Sequence, residues 1–491
     1  MKTYRKISFI ATAILLISLH VACYSYSNSY SQFGLSDTVS IAVNKGWNMI
    51  SLPLIVPDPR VSIVFPHAIS KAFFYDNSYR RTDSLSINTG YWIKFGAAET
   101  ITVAGIKQHL GICSLVTGWN LVGGNSFVTP VSEVMGSPSS MITSHYWTYI
   151  PSVGYYLADT IVPGKSYWVK SQGVGNVAMA QWELIGLQSE EEVTSIVTHP
   201  YDPNIIYCGS ASDFSSGHNG GVFKTTNGGV TWDTLVIGGS YSDLAIDPLH
   251  PDTVYAVSGT ILMTPDGGKT WQVRADSIYL DGETRASYLA IDPSNSNTLY
   301  ASTGGANGGW LYKSTDAGIT WIGVPRNDLA LNADISSLAI DPQHSSTIYA
   351  GAYLGVQKTT DGGNSWRDSG LDTSGTLIYS ILIDPNQTQR IVAGEGLYGF
   401  FISNDGGSNW ASFNEGTTGS FNGLKLTINP VTDQIYGVSS SGVYVRHGTN
   451  DSWIRIGMPG IQSIGYCGFK LDADNKTLYL GLAGIYRLRL P

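Results

Sequence analysis

Apolar residues fall in short runs along most of the chain, separated by clusters of Gly, Pro, Asn, Asp and Ser. Such runs predict β-strands joined by turns, and no long helical period is present. One run recurs with its turn attached, as Leu244-Ala245-Ile246-Asp247-Pro248, Leu289-Ala290-Ile291-Asp292-Pro293, Leu338-Ala339-Ile340-Asp341-Pro342 and Ile381-Leu382-Ile383-Asp384-Pro385. Variants at Ile196 to Pro200, Leu426 to Pro430 and Phe469 to Asp472 bring the copies to seven. Each is followed by a second run, typified by Thr347-Ile348-Tyr349-Ala350-Gly351, and a third, typified by Gly355-Val356-Gln357-Lys358.

A second signature interleaves with the first. Boxes ending in tryptophan run from Thr225 to Trp232, Thr264 to Trp271, Ser314 to Trp321, Thr359 to Trp366 and Ser403 to Trp410, with a degenerate copy at Thr449 to Trp453. The Trp-to-Trp steps are 39, 50, 45, 44 and 43 residues. That is the length of a four-stranded propeller blade, and seven inner strands predict seven blades. The last blade, ending at Gly484 to Leu490, has no outer strand of its own. Trp182 precedes the first inner strand by 14 residues, as the other tryptophans precede theirs by 12 to 18. The strand around Gln181 to Gly186 is therefore expected to close the ring and remove its free edges.

Within the box the Ser or Thr ends a strand. The Asp is placed to accept backbone N–H groups of the turn, and the Gly at the fifth position takes positive φ at low cost. The Trp ring then packs between blades while its N–H finds an acceptor. These residues resemble the Asp-box (BNR) repeat superfamily, which includes sialidases, sortilin-type receptors, xyloglucanases and photosystem II assembly factors. The resemblance covers about 300 residues. It implies a β-propeller with the box in a peripheral hairpin, so Asp266, Asp316, Asp361 and Asp405 are expected to brace turns rather than catalyse.

The N-terminal third carries a different repeat. Gly46-Trp47-Asn48-Met49-Ile50 matches Gly118-Trp119-Asn120-Leu121-Val122, and Tyr91-Trp92-Ile93-Lys94 matches Tyr167-Trp168-Val169-Lys170. Two small tandem β modules are expected, at residues 37–108 and 109–180, before a propeller at 181–491. Alternation turns one residue of each Tyr-Trp pair into a core, and Trp47 and Trp119 sit in runs that look like buried strands. The pattern resembles modules of secreted Bacteroidetes-like proteins and implies no activity by itself.

Lys2, Arg5 and Lys6 precede an apolar run from Ile7 to Leu19, the arrangement of a secretory signal over residues 1–23 with a linker at 24–36. Export is expected, and Leu19 to Cys23 is similar to a lipobox that would attach a lipid to Cys23. Cys113, Cys208 and Cys467 are too few and too far apart for a disulfide framework or a metal site. Residues 181–491 carry 16 basic and 30 acidic side chains. That net negative charge argues against a nucleic-acid partner.

Ligands of propellers bind where the axial funnel opens, so the irregular loops hold the candidates. These are Asp213, His218, Asp281, Glu283, Arg285, Trp310, Arg326, Asp328 and Glu395. A sialidase needs three arginines for its substrate carboxylate. No arginine lies between Lys170 and Arg274, which disfavours that activity. A xyloglucanase needs two carboxylates across a cleft, for which Asp213 with Asp281 or Glu283 is the candidate set. Asp213 nevertheless lacks the Asp-Val-Gly-Gly run of that family. The reading favoured by the residues is an all-β, exported, non-enzymatic protein that binds a protein or glycan partner. It needs no cofactor or metal. A glycoside hydrolase is the alternative.

Overall fold

The computed structural model describes residues 37–187, 192–212, 219–275, 285–304, 309–325, 335–353, 355–371, 375–417, 423–457 and 467–490. The signal and linker expectations, Cys23 included, lie outside them. The chain divides into two compact units, Met1–Ser132 with Ile142–Val174, and Glu133–Met141 with Gly175–Pro491. Among the described residues helix is confined to single turns such as Val61–Val64, and none is long and apolar enough to cross a membrane.

The second unit is a β-propeller. Its described residues form seven four-stranded antiparallel sheets, six of them in plain sequence order. The first sheet, for example, runs Val193–Thr198, Ile206–Ser210, Gly221–Thr225, Asp233–Ile237. Second strands such as Ile348–Ala352 and Ile391–Glu395 are buried along their whole length, because both faces of each sheet are covered by neighbouring blades. Continuous apolar runs are what such strands require. Outer strands are short and exposed, as at Arg367–Asp368.

The seventh sheet is ordered Glu183–Gly186, Gly484–Arg489, Thr477–Leu482, Phe469–Leu471. Its outer strand thus comes from upstream of the first blade, with Glu183 opposite Arg487 and Leu184 opposite Tyr486. Phe469–Leu471 also lies beside Val193–Thr198, so the inner strands form a closed circle. Trp182 joins the same pattern. Its indole N–H donates to the Ile456 carbonyl at 3.0 Å, as Trp232 donates to Ile185 (3.1 Å) and Trp410 to Ser369 (3.0 Å). Each acceptor lies in or just after the outer strand of the preceding blade.

The turns within the boxes explain how neighbouring blades hold each other. Asp361 Oδ1 accepts the Thr359 hydroxyl at 2.8 Å and the Ser365 N–H at 2.9 Å, and Oδ2 accepts the Ser365 hydroxyl. Gly362 and Gly363 take φ of +70° and +94°, which turns the Gly362 carbonyl outward. That carbonyl accepts both the Tyr300 hydroxyl (3.0 Å) and the Lys313 ammonium (2.9 Å) of the preceding blade. Tyr349 and Lys358 do the same to Gly406, and Tyr207 and Lys224 to Gly267. Across the closure Arg487 donates to the Gly228 carbonyl at 2.9 Å.

In the N-terminal unit two four-stranded sheets have matching orders. One runs Gly46–Ser51, Gly90–Phe95, Ala72–Tyr75, Tyr79–Thr82, and the other Gly118–Gly123, Ser166–Ser171, Trp147–Ile150, Gly154–Leu157. Equivalent residues make equivalent bonds. Asn48 Oδ1 accepts the Asn44 N–H, and Asn120 Oδ1 accepts the Val116 N–H, both at 2.9 Å. The two sheets also grip each other reciprocally. Ser51 N–H donates to the Gly164 carbonyl, while Gly123 N–H donates to the Asn88 carbonyl. Trp92 of the first meets Tyr149 of the second at 5.1 Å, and Trp168 of the second meets Tyr75 of the first at 5.0 Å. Tyr91 and Tyr167 point into cores at 3% and 1% exposure, as alternation requires. Trp47 and Trp119 do not. They are 40% and 43% exposed, because they fall on the opposite face of their strands from Asn48 and Asn120, whose side chains close the adjoining loops.

Candidate functional site

The position just before each Leu-Ala-Ile-Asp-Pro run lies within an inner strand or, at Gly468, immediately before it. Around the ring it is occupied by Ser195, Asp243, Tyr288, Ser337, Ser380, Lys425 and Gly468. Small residues at most of these places leave room for the three large ones.

Asp243 is held by donors from three blades' worth of inner strand. Its Oδ1 accepts the Leu244 N–H at 3.0 Å and the Ser195 hydroxyl at 3.2 Å, and its Oδ2 accepts the Leu289 N–H at 3.0 Å. Burial pushes its carboxyl above the usual range, opposed by the Lys425 charge and these hydrogen bonds. Lys425 places its ammonium 5.7 Å from the centre of the Tyr288 ring. Those two residues belong to the sixth and third blades, on opposite sides of a seven-sheet ring, so the contact spans the axis. Nearby on the seventh blade, Lys470 stays in reach of water, yet surrounding protein lowers its pKa by desolvation. Burial pushes the Cys467 thiol up to about 11, which keeps it protonated and unreactive.

Chemically, this cluster is a carboxylate committed to three donors, facing an ammonium that rests on an aromatic ring. It fixes charge on the axis. It does not place two carboxylates across a groove, as glycoside hydrolysis requires. Asp243, Tyr288 and Lys425 were not among the residues selected from the sequence. Their signal was the one column of the inner-strand repeat in which the copies disagree in charge.

The loop candidates fare unequally. Asp213, His218, Asp281, Glu283, Arg326 and Asp328 lie outside the described residues. Arg285 opens the strand Arg285–Ile291, with Gly304 as its partner. Trp310 is not in a loop: it begins the strand Trp310–Ser314 and packs, half-buried, on a core containing Leu289 and Tyr312. Glu395 ends the strand Ile391–Glu395 with its side chain fully buried. Its Oε2 accepts the N–H groups of Leu397 (2.9 Å) and Tyr398, and burial raises its pKa. Such a carboxylate shapes its own loop and presents no charge to a ligand in bulk water. Asp266, Asp361 and Asp405 are hydrogen-bonded within their turns, which lowers their pKa to about 2. Asp316 is lowered in the same way, chiefly by the Thr320 hydroxyl. Among the described residues no cluster of His, Cys, Asp and Glu could hold a metal ion, and Cys113, Cys208 and Cys467 are buried and form no disulfide.

No known family's sequence profile matches the chain. Among curated proteins it is similar to a xyloglucanase of Paenibacillus sp, 26% identical over 291 residues, covering 48% of this chain and 28% of that one. It is also similar to a probable oligoxyloglucan-reducing end-specific xyloglucanase of Neosartorya fischeri, 31% identical over 240 residues, covering 44% and 28%. The chain thus spans under a third of the length of these relatives. Among solved structures it is similar to an ancestral GH74 enzyme, with a TM-score of 0.50 at 19% identity, covering 62% of this chain and 46% of that one. YCF48 from Cyanidioschyzon merolae has a TM-score of 0.48 at 19% identity, covering 63% and 98%. What the GH74 likeness supports is the fold: a β-propeller of the kind also found in GH74 enzymes.

Proposed function

We propose that the chain is an exported or cell-envelope binding protein, without turnover of its own, whose propeller presents its axial loop face to a glycan. The observation that carries this reading is the axial cluster. At its centre a carboxylate held by Ser195, Leu244 and Leu289 faces an ammonium on Tyr288, a pairing suited to fixing a surface rather than to acid and base catalysis. The xyloglucanase relatives support a polysaccharide as the partner class and an extracellular setting. The Asp-box resemblance fits as well, with its aspartates used as braces.

A second reading has its own support in those relatives. As a glycoside hydrolase the chain would use Asp213 with Asp281 or Glu283. Incubation of the purified protein with fluorogenic glycosides and soluble polysaccharides separates the two, provided retention in polysaccharide-containing native gels is measured in parallel. Retention without release of reducing sugar is the expected result. Turnover that vanishes in Asp213→Asn would replace the binding role with the hydrolase.

A further inference from the structure

The N-terminal unit contains a cavity of about 460 Å³ lined by Tyr75, Trp119, Trp147, Tyr155 and Trp168. That is within the range of small-molecule sites. All five lining side chains are aromatic and none carries a charge. We infer that this cleft binds a neutral polysaccharide chain, stacking the apolar face of a pyranose ring on its tryptophans.

The cleft arises from a difference between the two halves of the unit. In the first, Phe73 lies opposite Trp92 in the sheet and its ring meets Trp47 at 5.7 Å. In the second, Trp147 takes the place of Phe73 opposite Trp168. The larger ring, together with Trp119 and with Tyr75 contributed by the other half, walls a hollow. Trp119 and Tyr155 remain 43% and 54% exposed. Large aromatic rings left in water around a concavity mark a binding site more often than a packing remnant.

Ring orientation and charge select the ligand. Trp168 stands at 89° to Trp119 and 76° to Tyr75, with centroids 6.4 and 5.0 Å away. A flat ligand lying on one ring therefore meets the neighbouring ring at a steep angle. A pyranose has that shape, with C–H groups on its faces and hydroxyls around its perimeter. A cation is disfavoured, because Lys170 is the cross-strand partner of Trp119 on the same face and brings its own positive charge to the rim. The same lysine can donate to a sugar hydroxyl. The tryptophan and tyrosine side chains are already restrained by packing on one another, so little rotamer freedom is lost on binding.

This site belongs to the N-terminal unit and the loop face to the propeller, so either can fail alone. The test titrates the full chain with cellohexaose, mannohexaose and xyloglucan oligosaccharides, following tryptophan fluorescence and heat. A decaproline peptide and a trimethyl-lysine peptide serve as competing ligand classes. At least one oligosaccharide is expected to bind saturably, and Trp119→Ala or Tyr155→Ala should weaken it at least ~10-fold, about 1.4 kcal/mol. Both side chains are exposed, so folding should survive, and Trp119→Phe should restore part of the affinity. The assignment is overturned if no oligosaccharide binds, if either peptide binds in preference, or if binding survives both alanine variants.

Discussion

The propeller and the N-terminal unit are both built by repetition, but they use it differently. In the propeller the copies agree where blades meet: Tyr207, Tyr300 and Tyr349 each donate to a turn carbonyl of the next blade, joined by Lys224, Lys313 and Lys358. They disagree at the axis, where Asp243, Tyr288 and Lys425 interrupt a column of small residues. In the N-terminal unit two copies agree in their loop-closing asparagines and reciprocal aromatic contacts, and disagree where Trp147 replaces Phe73. Agreement between copies marks what the fold needs from every copy. Divergence at an enclosed position marks where chemistry is available.

If that contrast is right, the largest effects follow from breaking agreement that the whole ring shares. Excising residues 182–186 removes the outer strand of the seventh sheet and the Trp182 bond to Ile456. A loss of at least ~4 kcal/mol in urea unfolding is expected. An unchanged midpoint would mean the ring closes without this strand. Next comes Arg390, 7% exposed, whose guanidinium pairs with Asp384 at 2.5 Å and with Asp433. Arg390→Ala strands buried Asp384 without its partner and should cost about 3–5 kcal/mol. Lys358→Met removes one of two donors to the Gly406 carbonyl, and the second blade already carries Met263 at that place. About 1 kcal/mol is expected in the same assay, since Tyr349 keeps the carbonyl satisfied. Trp147→Phe copies the first N-terminal sheet into the second. It should leave unfolding within about 1.5 kcal/mol of the parent while oligosaccharide affinity falls about tenfold. Equal loss of both would make Trp147 a packing residue.

The fold was legible because its information is periodic. Inner strands, box turns and the misplaced tryptophan at 182 are read by counting, and the counts survive variation at single positions. The candidate sites were less legible, for reasons particular to each residue. Glu395 stands before Gly-Leu-Tyr and looks like a loop carboxylate, but the N–H groups of Leu397 and Tyr398 fold back onto it and bury it. Trp310 follows a glycine pair and looks exposed, yet it is already in register with Thr303 on the neighbouring strand. Asp243 and Lys425 adjoin strong repeat signatures, and their partnership depends on which blades face each other across the axis. Trp47 and Trp119 were expected in the core because strand alternation gives the period of a strand and not which face is covered.

The weakest perturbation tests agreement at its most repeated point, the Asp of the box. The first box carries Asn227 there. Its Oδ1 accepts the Thr231 N–H at 2.9 Å and its Nδ2 donates to the Thr231 hydroxyl at 2.8 Å. Asp361→Asn can adopt the same arrangement with Ser365, so at pH 7 no measurable change in the unfolding midpoint is expected. Acid should separate the variants. The Ser365 hydroxyl and N–H hold the Asp361 carboxyl at about 2, below its ordinary 3.8. A group whose pKa is depressed by folding contributes stability above its unfolded pKa and loses it as pH falls through the folded one. The parent should therefore lose stability between about pH 4 and pH 2, and Asp361→Asn should lose less over that window. Asp361→Ala, which cannot accept the turn N–H, should be weaker than both at pH 7. If Asp361→Asn instead matches the alanine variant at pH 7, the carboxylate charge matters to the turn, and Asn227 is a divergence rather than a conserved acceptor.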